Sequence, residues 1–493
     1  MRGEELFIGG AWCAPSTDRQ IEVISPHTEA PVARVAGAAP ADVDRAVEAA
    51  REAFDNGPWR TTPPAERIDT VRRLAEQYDR RRGEMAELIT AEIGAPTGFA
   101  QRAQVALPWS MITAFCDVAQ DYPWQERRSG RYGADLFVRR EPVGVVAAVL
   151  PWNMPQFLIV TKLIPALLAG CSVVVKPAPE SPLNALLLAE IIAASDLPPG
   201  LVSVLPGDGA VGEHLVRHPG VDKVSFTGST AAGRAVATAC APGLKRVSLE
   251  LGGKSAAIVL DDADPGTVAA GIRSASLSNS GQICNALTRI LVPASRAAEF
   301  TDALAAELAG LVVGDPTDGA TQVGPLVAQR QQQRVTGYIE QGLRDGARSV
   351  IGGPGMPEGL DRGWYVKPTL FDRADNSMTI AREEIFGPVL TVIPYAAVDD
   401  AVAIANDSDY GLAGSVFTAD TDRGLAVAGA VRTGTFGVNQ GYTMDPYGPF
   451  GGVKASGYGR ELGREGLDGY TDTKSVSVAA TQDPATAAAG KGA

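Results

Sequence analysis

The feature that most constrains the fold of this chain is a regular alternation of strand and helix patterns that begins near residue 143. The run "VGVVAAVLPWN" has the pattern of a buried strand, residues 155–170 that of a helix, "CSVVVKP" that of a second strand and residues 181–195 that of a second helix. The strands "LVSVLPG" and "VDKVSFTG" follow, with helical patterns at 209–217 and 230–240. Continuous β-branched runs separated by helices predict a parallel sheet covered on both faces, which is the layout of nucleotide-binding folds.

A second α/β alternation follows the strand patterns "KRVSLELGG" and "AAIVL". Its expected elements are strands at 288–293, 364–371, 388–394 and 411–418 and a long helix at 326–345. A chain of 493 residues is too long for one ordinary hydrophobic core. We therefore predict an α/β protein with a parallel-sheet dinucleotide-binding domain, formed by residues 1–123 and 142–254, and an α/β catalytic domain at 255–455.

Two segments fall outside these domains. "RRSGRYGADLFVRREP" has the pattern of a hairpin and "YTDTKSVSVAA" that of a strand, and neither carries a core of its own. We expect residues 124–141 and 470–480 to form a β oligomerisation arm that pairs across subunits, because such pairing leaves no exposed strand edge. A homodimer or homotetramer is therefore expected. The small and polar residues 481–493 are expected to be a disordered tail.

The charge and the cysteines argue against several classes of function. A formal charge of −13 disfavours binding to nucleic acid and to anionic membranes. The cysteines are scattered without a CxxC pair, which argues against a zinc ribbon or a disulfide framework and suits a reducing cytosol. The start "MRGEELFIGGAW" lacks the apolar core of a signal peptide, and the most apolar helical run is too short to span a bilayer. We expect a soluble cytoplasmic protein with no nucleic-acid or membrane partner.

One cysteine stands in a context that packing does not explain. Cys284 lies in "SNSGQICNALTRILV" among small and polar residues, although by itself it could be a loop cysteine without a role. Three other polar side chains flank apolar stretches: Asn153 in "LPWNMP", Glu250 in "SLELGGK" and Glu384 in "REEIFGPV". Each has a simpler interpretation as a turn residue or a surface carboxylate. Asn153, however, directly follows a strand, where ligands of parallel sheets usually bind.

Together these stretches resemble the aldehyde dehydrogenase superfamily, of the NAD(P)-dependent, hydrolytic type. The similarity extends over nearly the whole chain, from "FIGGAW" through "EPVGVVAAVLPWNMP", "KPAPESP", "FTGSTAAGR", "LELGGK", "GQICNA" and "EEIFGP" to "PFGGVKASGYGRE". Any one of these stretches could arise by chance, but their order and spacing are typical of that family. The resemblance implies an aldehyde dehydrogenase-like fold and the oxidation of a small-molecule aldehyde to its carboxylic acid.

The resemblance also implies a set of catalytic residues. The Cys284 thiolate would add to the carbonyl carbon and give a thiohemiacetal, and after hydride transfer a thioester would remain on the sulfur. The Asn153 amide and the Cys284 backbone N–H would stabilise the oxyanion, and Glu250, desolvated by flanking leucines, would activate the hydrolytic water. Backbone N–H dipoles would have to favour the thiolate. Glu461 falls where the family has a second carboxylate near the water path, unless it is a solvated loop residue.

A second implied set of residues binds the dinucleotide. "SFTGSTAAGR" is a strand-to-helix turn of small residues that would expose N–H groups to a pyrophosphate. Lys176 corresponds to the lysine that binds the adenosine ribose, and Glu384 and Phe386 to the residues on the nicotinamide side. The expected cofactor-binding residues are Pro151, Trp152, Lys176, Pro179, Glu180, Gly228, Ser229, Gly233, Leu251, Glu384 and Phe386.

The sequence departs from the family pattern at the ribose of the adenosine. NAD-preferring members often have a glutamate three residues after the lysine, where it accepts both ribose hydroxyls. Here Pro179 occupies that position and Glu180 follows one step later. A proline side chain neither accepts these hydrogen bonds nor repels a 2′-phosphate. NAD is therefore the first expectation, and NADP stays possible.

The family's substrate funnel maps onto mixed, mostly apolar positions. These are Trp109, Met154, Thr161, Ile283, Asn285, Thr443, Met444 and Phe450. None is an arginine that could pair with a substrate carboxylate. We expect a neutral, fairly hydrophobic aldehyde rather than a semialdehyde acid, although core packing is an alternative for each position.

Three other functions remain to be considered. A CoA-acylating dehydrogenase would resolve the thioester with a thiol, but such members generally lack the glutamate at position 250. The same thiol, oxyanion hole and base could act as a cofactor-independent esterase, or the chain could be a non-catalytic binding protein. His214 and His218 are four residues apart in "EHLVRH" and could in principle bind a metal, but no third ligand accompanies them, so no metal is expected.

Overall fold

The computed structural model describes residues 2–132 and 134–479. Its strands are β1 Leu6–Ile8, β2 Ala11–Cys13, β3 Gln20–Ile24, β4 Pro31–Ala36, β5 Gln125–Ser129, β6 Ala134–Pro142, β7 Val145–Val149, β8 Ser172–Lys176, β9 Val202–Val204, β10 Lys223–Thr227, β11 Arg246–Glu250, β12 Ser255–Val259, β13 Leu287–Pro293, β14 Arg348–Ile351, β15 Thr369–Asp372, β16 Val389–Tyr395, β17 Ala413–Phe417, β18 Thr435–Val438, β19 Gly457–Tyr458 and β20 Thr471–Ala479.

Helices cover both faces of the two large sheets. They are α1 Pro40–Asp55, α2 Pro64–Arg80, α3 Arg82–Ile93, α4 Thr97–Phe99, α5 Leu107–Gln120, α6 Pro155–Ala169, α7 Leu183–Ala193, α8 Gly209–Arg217, α9 Thr230–Cys240, α10 Pro265–Leu277, α11 Ala297–Ala309, α12 Gln329–Arg344, α13 Thr379–Arg382, α14 Val398–Asn406, α15 Thr421–Ala430 and α16 Gly463–Asp468. Between α4 and α5 the chain forms a π-helical segment, Ala100–Ala106.

The first large sheet has eight strands in the order β19-β11-β10-β7-β8-β9-β1-β2. The five strands from β11 to β9 are mutually parallel. Every residue of β7, β8 and β10 is buried, which is expected for strands covered by helices on both faces. The short antiparallel strands β1, β2 and β19 close the two edges.

The second large sheet has seven strands in the order β14-β15-β16-β13-β12-β17-β18. All neighbouring pairs are parallel except β14 with β15. The predicted fold class, an α/β protein with parallel sheets, is confirmed. The sheets change between Glu250, which ends β11, and Ser255, which begins β12. The division of the chain into the predicted domains remains a prediction.

The segments predicted to form an arm lie together in one sheet of three antiparallel strands, in the order β20-β6-β5. The hairpin is formed by β5 and β6, as the sequence indicated. β20 pairs with β6 of the same chain along its whole length, from Thr471 opposite Pro142 to Ala479 opposite Ala134. The hairpin and the strand thus supply each other with a partner within one chain, and pairing of this sheet across subunits remains a prediction. The predicted tail, 481–493, lies outside the described residues.

Several elements differ from the sequence patterns. The strand expected at 364–371 is confined to β15, and the helix expected at 326–345 begins only at Gln329. The strands β1 to β4, β14, β18 and β19 were not predicted, because strands of two to six residues are too short to carry a clear periodicity. No helix within the described ranges is long and apolar enough to cross a membrane.

Helix α6 positions much of the site. Pro155 begins the helix, where a missing N–H costs nothing, and Gly170 ends it with φ 98°. Every residue of the helix is buried, including Lys162. An ammonium group in such a place requires a partner.

Candidate active site

A cavity of about 510 Å³ opens where the carboxyl ends of the first sheet face the second sheet. Its wall includes Asn153 after β7, Thr227 at the end of β10, Glu250 at the end of β11 and Cys284 before β13. Polar groups at the ends of parallel strands converge because these strands point in one direction. The structure thus brings Cys284, Glu250, Asn153 and Glu461 together in the wall of one cavity, and their catalytic roles remain predictions.

The loop before Cys284 has an unusual backbone. Asn279, Ser280 and Gly281 all have positive φ, at 51°, 58° and 74°. Gly281 is required there, because a Cβ would lie 2.4 Å from the carbonyl carbon and oxygen of Gly387. Ser280 Oγ donates to the Gly324 carbonyl at 2.8 Å, which ties the loop to the segment before α12. The loop presents Cys284 half-buried at the cavity wall.

The pKa of the Cys284 thiol is subject to opposing influences. Burial raises its pKa to about 12, and the nearby carboxylates of Glu384 and Glu250 act in the same direction. The backbone N–H groups of Asn285 and Cys284 lower the pKa, but by less than burial raises it. The N–H groups thus favour the thiolate, as expected, but burial and the two carboxylates favour the neutral thiol by more.

Asn153 is buried, and both its side-chain nitrogen and its backbone carbonyl make hydrogen bonds. Its side-chain Nδ2 donates to the Gln282 carbonyl at 3.0 Å. Its backbone carbonyl accepts from Gln104 Nε2 at 2.8 Å and from Asn279 Nδ2 at 2.9 Å. An amide nitrogen carries two protons, so one N–H of Asn153 remains available to a ligand.

Glu250 is a buried carboxylate without a hydrogen-bond partner among the described residues. Only 4% of its surface is exposed. Burial raises its pKa well above the usual value, and the negative charge of Glu461 acts in the same direction, whereas Lys162 and Arg460 lower it. A carboxylate in this state is suited to accept a proton near neutral pH.

Glu461 is buried and ion-paired rather than solvated. Lys162 Nζ contacts Glu461 Oε1 in a short salt bridge, and Thr161 Oγ1 donates to Oε2 at 3.0 Å. The same Lys162 Nζ donates to Thr227 Oγ1 at 2.7 Å. Sequence reasoning missed Lys162 as a site residue, although a lysine inside the apolar run "PQFLIVTKLIPALLAG" was a usable signal.

Most of the predicted cofactor residues line the same cavity. These are Pro151, Trp152, Gly228, Ser229, Leu251, Glu384 and Phe386. The rings of Trp152 and Phe386 meet edge to face, with centroids 5.5 Å apart and planes at 83°. Ser229 caps helix α9, its Oγ accepting from the Ala232 N–H at 3.3 Å. Burial raises the pKa of Glu384 to about 7, and its Oε1 accepts from the Gly253 N–H at 3.1 Å.

The four remaining cofactor candidates, Lys176, Pro179, Glu180 and Gly233, lie outside the cavity wall. Lys176 ends β8 and is buried. Burial lowers its pKa to about 8, although the negative charges of Glu180 and Asp208 raise it. Glu180 forms a short ion pair with Arg330 of α12, a partner that the sequence did not indicate. At Gly233 a Cβ would lie 2.6 Å from Leu251 Cδ2, so this glycine allows α9 to pack closely on β11.

The predicted substrate residues divide into two groups. Met154, Ile283, Asn285, Met444 and Phe450 line the cavity, whereas Trp109, Thr161 and Thr443 do not, and we correct the assignment for these three. Trp109 stacks instead under Arg82 at 4.9 Å, Thr161 is turned towards Glu461, and Thr443 is exposed. Sequence reasoning missed several apolar wall residues: Phe99, Ala103, Leu107, Phe157, Leu158 and Tyr442. The four-residue spacing of the first three was a usable signal.

One arginine, Arg334, reaches the cavity wall. Its Nη2 donates to the Glu384 carbonyl at 2.6 Å, on the side of the predicted cofactor residues. Elsewhere, His214 Nε2 and His218 Nε2 lie 2.7 Å and 3.5 Å from Asp44 Oδ1. In the described part of the chain no group of three or more His, Cys, Asp and Glu side chains could hold a metal ion.

Comparison with known proteins identifies the family of this chain. A family model described as "Aldehyde dehydrogenase family" matches residues 12–476. The geranial dehydrogenase of Castellaniella defragrans is 46% identical over 473 residues, which cover 96% of this chain and 98% of that protein. The chain belongs to the aldehyde dehydrogenase family.

Two solved structures have the same fold. An aldehyde dehydrogenase of Mycobacterium tuberculosis complexed with NAD⁺ is 49% identical and superposes with a TM-score of 0.94, covering 96% of this chain and 97% of that one. A mutant of aldehyde dehydrogenase C from Pseudomonas syringae, complexed with NAD⁺ and octanal, is 42% identical with a TM-score of 0.94, covering 97% of each chain.

Proposed function

We propose that this protein oxidises neutral, apolar aldehydes to carboxylic acids with NAD as the hydride acceptor, through a covalent intermediate on Cys284. The observation that carries this proposal is the shared cavity, which places an accessible thiol, an amide donor and an unpartnered buried carboxylate around one space. Oxidation and hydrolysis of an aldehyde need these three groups together.

The residues present fit a dinucleotide. Ser229 begins helix α9, whose first N–H groups and positive end suit a diphosphate. Gly252 leaves room for the Glu384 carboxylate, because a Cβ there would lie 2.3 Å from Glu384 Oε2. That carboxylate would accept from ribose hydroxyls, and the Trp152–Phe386 pair would border the ring. Bound NAD would supply the acceptor for the aldehyde's hydride.

Bond formation at Cys284 requires removal of the thiol proton. Since the pKa of this thiol is about 12, a base must take the proton as the S–C bond forms. Glu250 is close enough to influence that pKa and has no other partner in the described chain. The free N–H of Asn153 and the Cys284 backbone N–H would donate to the developing oxyanion, and loss of one such donor typically costs about 10²–10³ in rate.

Hydrolysis of the thioester would use the same carboxylate. After releasing the thiol proton to solvent, Glu250 would take a proton from water as the water oxygen attacks the acyl carbon. The C–S bond then breaks, the acid leaves and the sulfur recovers its proton from Glu250. A CoA-acylating enzyme would not need this buried carboxylate, so its presence favours hydrolysis. A thiol esterase would use the same groups without NAD, and the dependence of turnover on NAD distinguishes the two.

The wall of the cavity supports an apolar substrate. Phe99, Leu107, Phe157, Leu158 and Phe450 contribute hydrocarbon surface. The names of two relatives, a geranial dehydrogenase and an octanal complex, describe acyclic, apolar aldehydes. We infer that this chain takes aldehydes of similar polarity.

The cofactor preference follows from the residues near Lys176. Pro179 offers no acceptor, and Glu180 is already paired with Arg330. NAD is the proposed cofactor, and some use of NADP is expected, because the two carboxylates that act on Lys176, Glu180 and Asp208, are each paired with an arginine. A clean rejection of NADP, measured as kcat/KM, would contradict this.

A spectrophotometric screen tests the proposed function. Alkyl, aromatic and terpenoid aldehydes and succinate semialdehyde are supplied with NAD or NADP, and reduced cofactor is measured. We expect the highest kcat/KM for apolar aldehydes with NAD and no turnover for Cys284→Ala. Best turnover on succinate semialdehyde would overturn the substrate class, and an active Cys284→Ala would overturn the mechanism.

A further inference from the structure

The backbone carbonyl of Asn153 lies outside the hydrogen-bond ladder of α6. The first helical bond of α6 goes to the next residue, where the Leu158 N–H donates to the Met154 carbonyl at 2.9 Å. The Asn153 carbonyl is bound instead by two side-chain amides, Gln104 at 2.8 Å and Asn279 at 2.9 Å. Because the first hydrogen bond of α6 goes to Met154, the Asn153 carbonyl remains free to accept hydrogen bonds from side chains.

Gln104 reaches this carbonyl from the π-helical segment Ala100–Ala106. Its side chain is fully buried, and its Oε1 has no hydrogen-bond partner among the described residues. A buried amide whose oxygen has no partner destabilises the fold. The favourable contribution of Gln104 is therefore the hydrogen bond that it donates to Asn153. π-Helical segments frequently occur at functional sites, where the extra residue redirects side chains.

We propose that Gln104 is a positioning residue that holds Asn153 in place as an oxyanion donor. The proposal rests on the proposed function, in which the free N–H of Asn153 stabilises the oxyanion. Gln104 and Asn279 fix the backbone of Asn153, and the Gln282 carbonyl fixes its amide at 3.0 Å. The contacts made by Asn279 and Gln282 come from the loop that carries Cys284. The contact made by Gln104 connects Asn153 to the π-helical segment instead.

The segment that supplies Gln104 also borders the substrate. Ala103, the preceding residue, lines the cavity, as do Phe99 before the segment and Leu107 after it. A shift of this wall would therefore move the donor that holds Asn153. Placement errors of about 1 Å at a reacting centre cost on the order of 10² in rate.

The test uses Gln104→Leu, which keeps similar volume and removes the donor. We expect kcat for aldehyde oxidation and the rate of p-nitrophenyl acetate hydrolysis to fall by about 10-fold or more. Alkylation of Cys284 by iodoacetamide should keep the wild-type rate, because it forms no oxyanion. Gln156→Leu is the matched control: Gln156 is equally buried, with an unpartnered Oε1, but its Nε2 donates to Asn184 Oδ1 at 2.7 Å. It should lower thermal stability and leave kcat within about twofold.

A double-mutant cycle separates positioning from general damage. In an Asn153→Ala background, Gln104→Leu should change kcat by less than about twofold, because the donor it positions is already gone. Additive losses, or an equal loss of iodoacetamide reactivity, would overturn the inference. If Gln104→Leu does not fold, Gln104→Met replaces it in the same cycle. A wild-type rate in Asn153→Ala itself would instead refute the proposed oxyanion role of Asn153, which keeps the two failures distinct.

Discussion

The two buried carboxylates of the cavity differ in their counter-ions. Glu461 is paired with Lys162 and Thr161, whereas Glu250 has no partner in the described structure. Burial and the charge of Glu461 therefore raise the pKa of Glu250. A carboxylate whose pKa is raised towards the working pH is suited to accept a proton. This environment supports the proposed role of Glu250 as the base.

Replacement of Glu250 by glutamine should separate oxidation from hydrolysis. A glutamine cannot take a proton from water, so any thioester that still forms should accumulate, and steady-state kcat should fall by about 10²–10⁴. A surviving burst of NADH on rapid mixing, together with an acyl adduct in intact-protein mass spectrometry, would show that another group can take the thiol proton. Loss of the burst and of the adduct would show that Glu250 also takes the thiol proton. Unimpaired steady turnover would exclude Glu250 as the hydrolytic base.

The charge of Glu461 should influence the pH at which kcat falls on the acid side of its pH profile. The profile falls at low pH because Glu250 becomes protonated below its raised pKa. Glu461→Gln removes a like charge that raises this pKa, so the acid limb of kcat should move to lower pH. Lys162→Met removes an opposing charge and should move it to higher pH. Shifts in the same direction for both variants would contradict this assignment, provided that circular dichroism shows both to be folded.

At the scale of elements, the parallel strands were predictable and the π-helical segment was not. β7, β8 and β10 are continuous β-branched runs, because both of their faces are buried. The segment Ala100–Ala106 has the composition of any amphipathic helix, and an inserted residue leaves no periodic signal over so short a length. For that reason the sequence did not indicate that Gln104 would reach Asn153.

Substitution at Ala103 should change chain-length selectivity. Ala103→Phe would fill part of the apolar wall, so kcat/KM for octanal should fall by about 10-fold or more while that for propanal stays near wild type. Gln101→Phe is the control, since Gln101 lies on the same segment but is exposed. Equal losses for short and long aldehydes would show that the residue does not border the substrate chain.

At the scale of the whole molecule, the sequence predicted the main site residues but not the residues that contact them from distant segments. Asn153 follows β7 and Glu250 ends β11, so both lie at the carboxyl edge of one parallel sheet, whereas Cys284 precedes β13 of the other sheet and was grouped with them by the family resemblance. Lys162, Arg330 and Gln104 act through contacts between segments far apart in the chain. Such contacts depend on how the sheets and helices pack, which no local pattern encodes. For the same reason the sequence did not show that β20 pairs with β6.

The three-stranded sheet should determine the oligomeric state. β20 lies at its edge, with most of its residues exposed, and an unpaired strand edge of this length is a template for another chain. We propose that this sheet joins subunits into a homodimer or homotetramer. Val478, 46% exposed on β20, is an apolar residue that such an interface would cover.

An aspartate at Val478 should therefore weaken assembly. Burying a carboxylate without a partner is unfavourable, so Val478→Asp should shift the mass measured by light scattering towards the monomer at low micromolar concentration. Val312→Asp is the matched control, because Val312 is 45% exposed and lies between α11 and α12, outside the three-stranded sheet. It should keep the wild-type mass. Since the cavity that holds Cys284 is formed within one chain, a monomeric Val478→Asp should still form the thioester. A wild-type mass for Val478→Asp would place the interface elsewhere on the molecule.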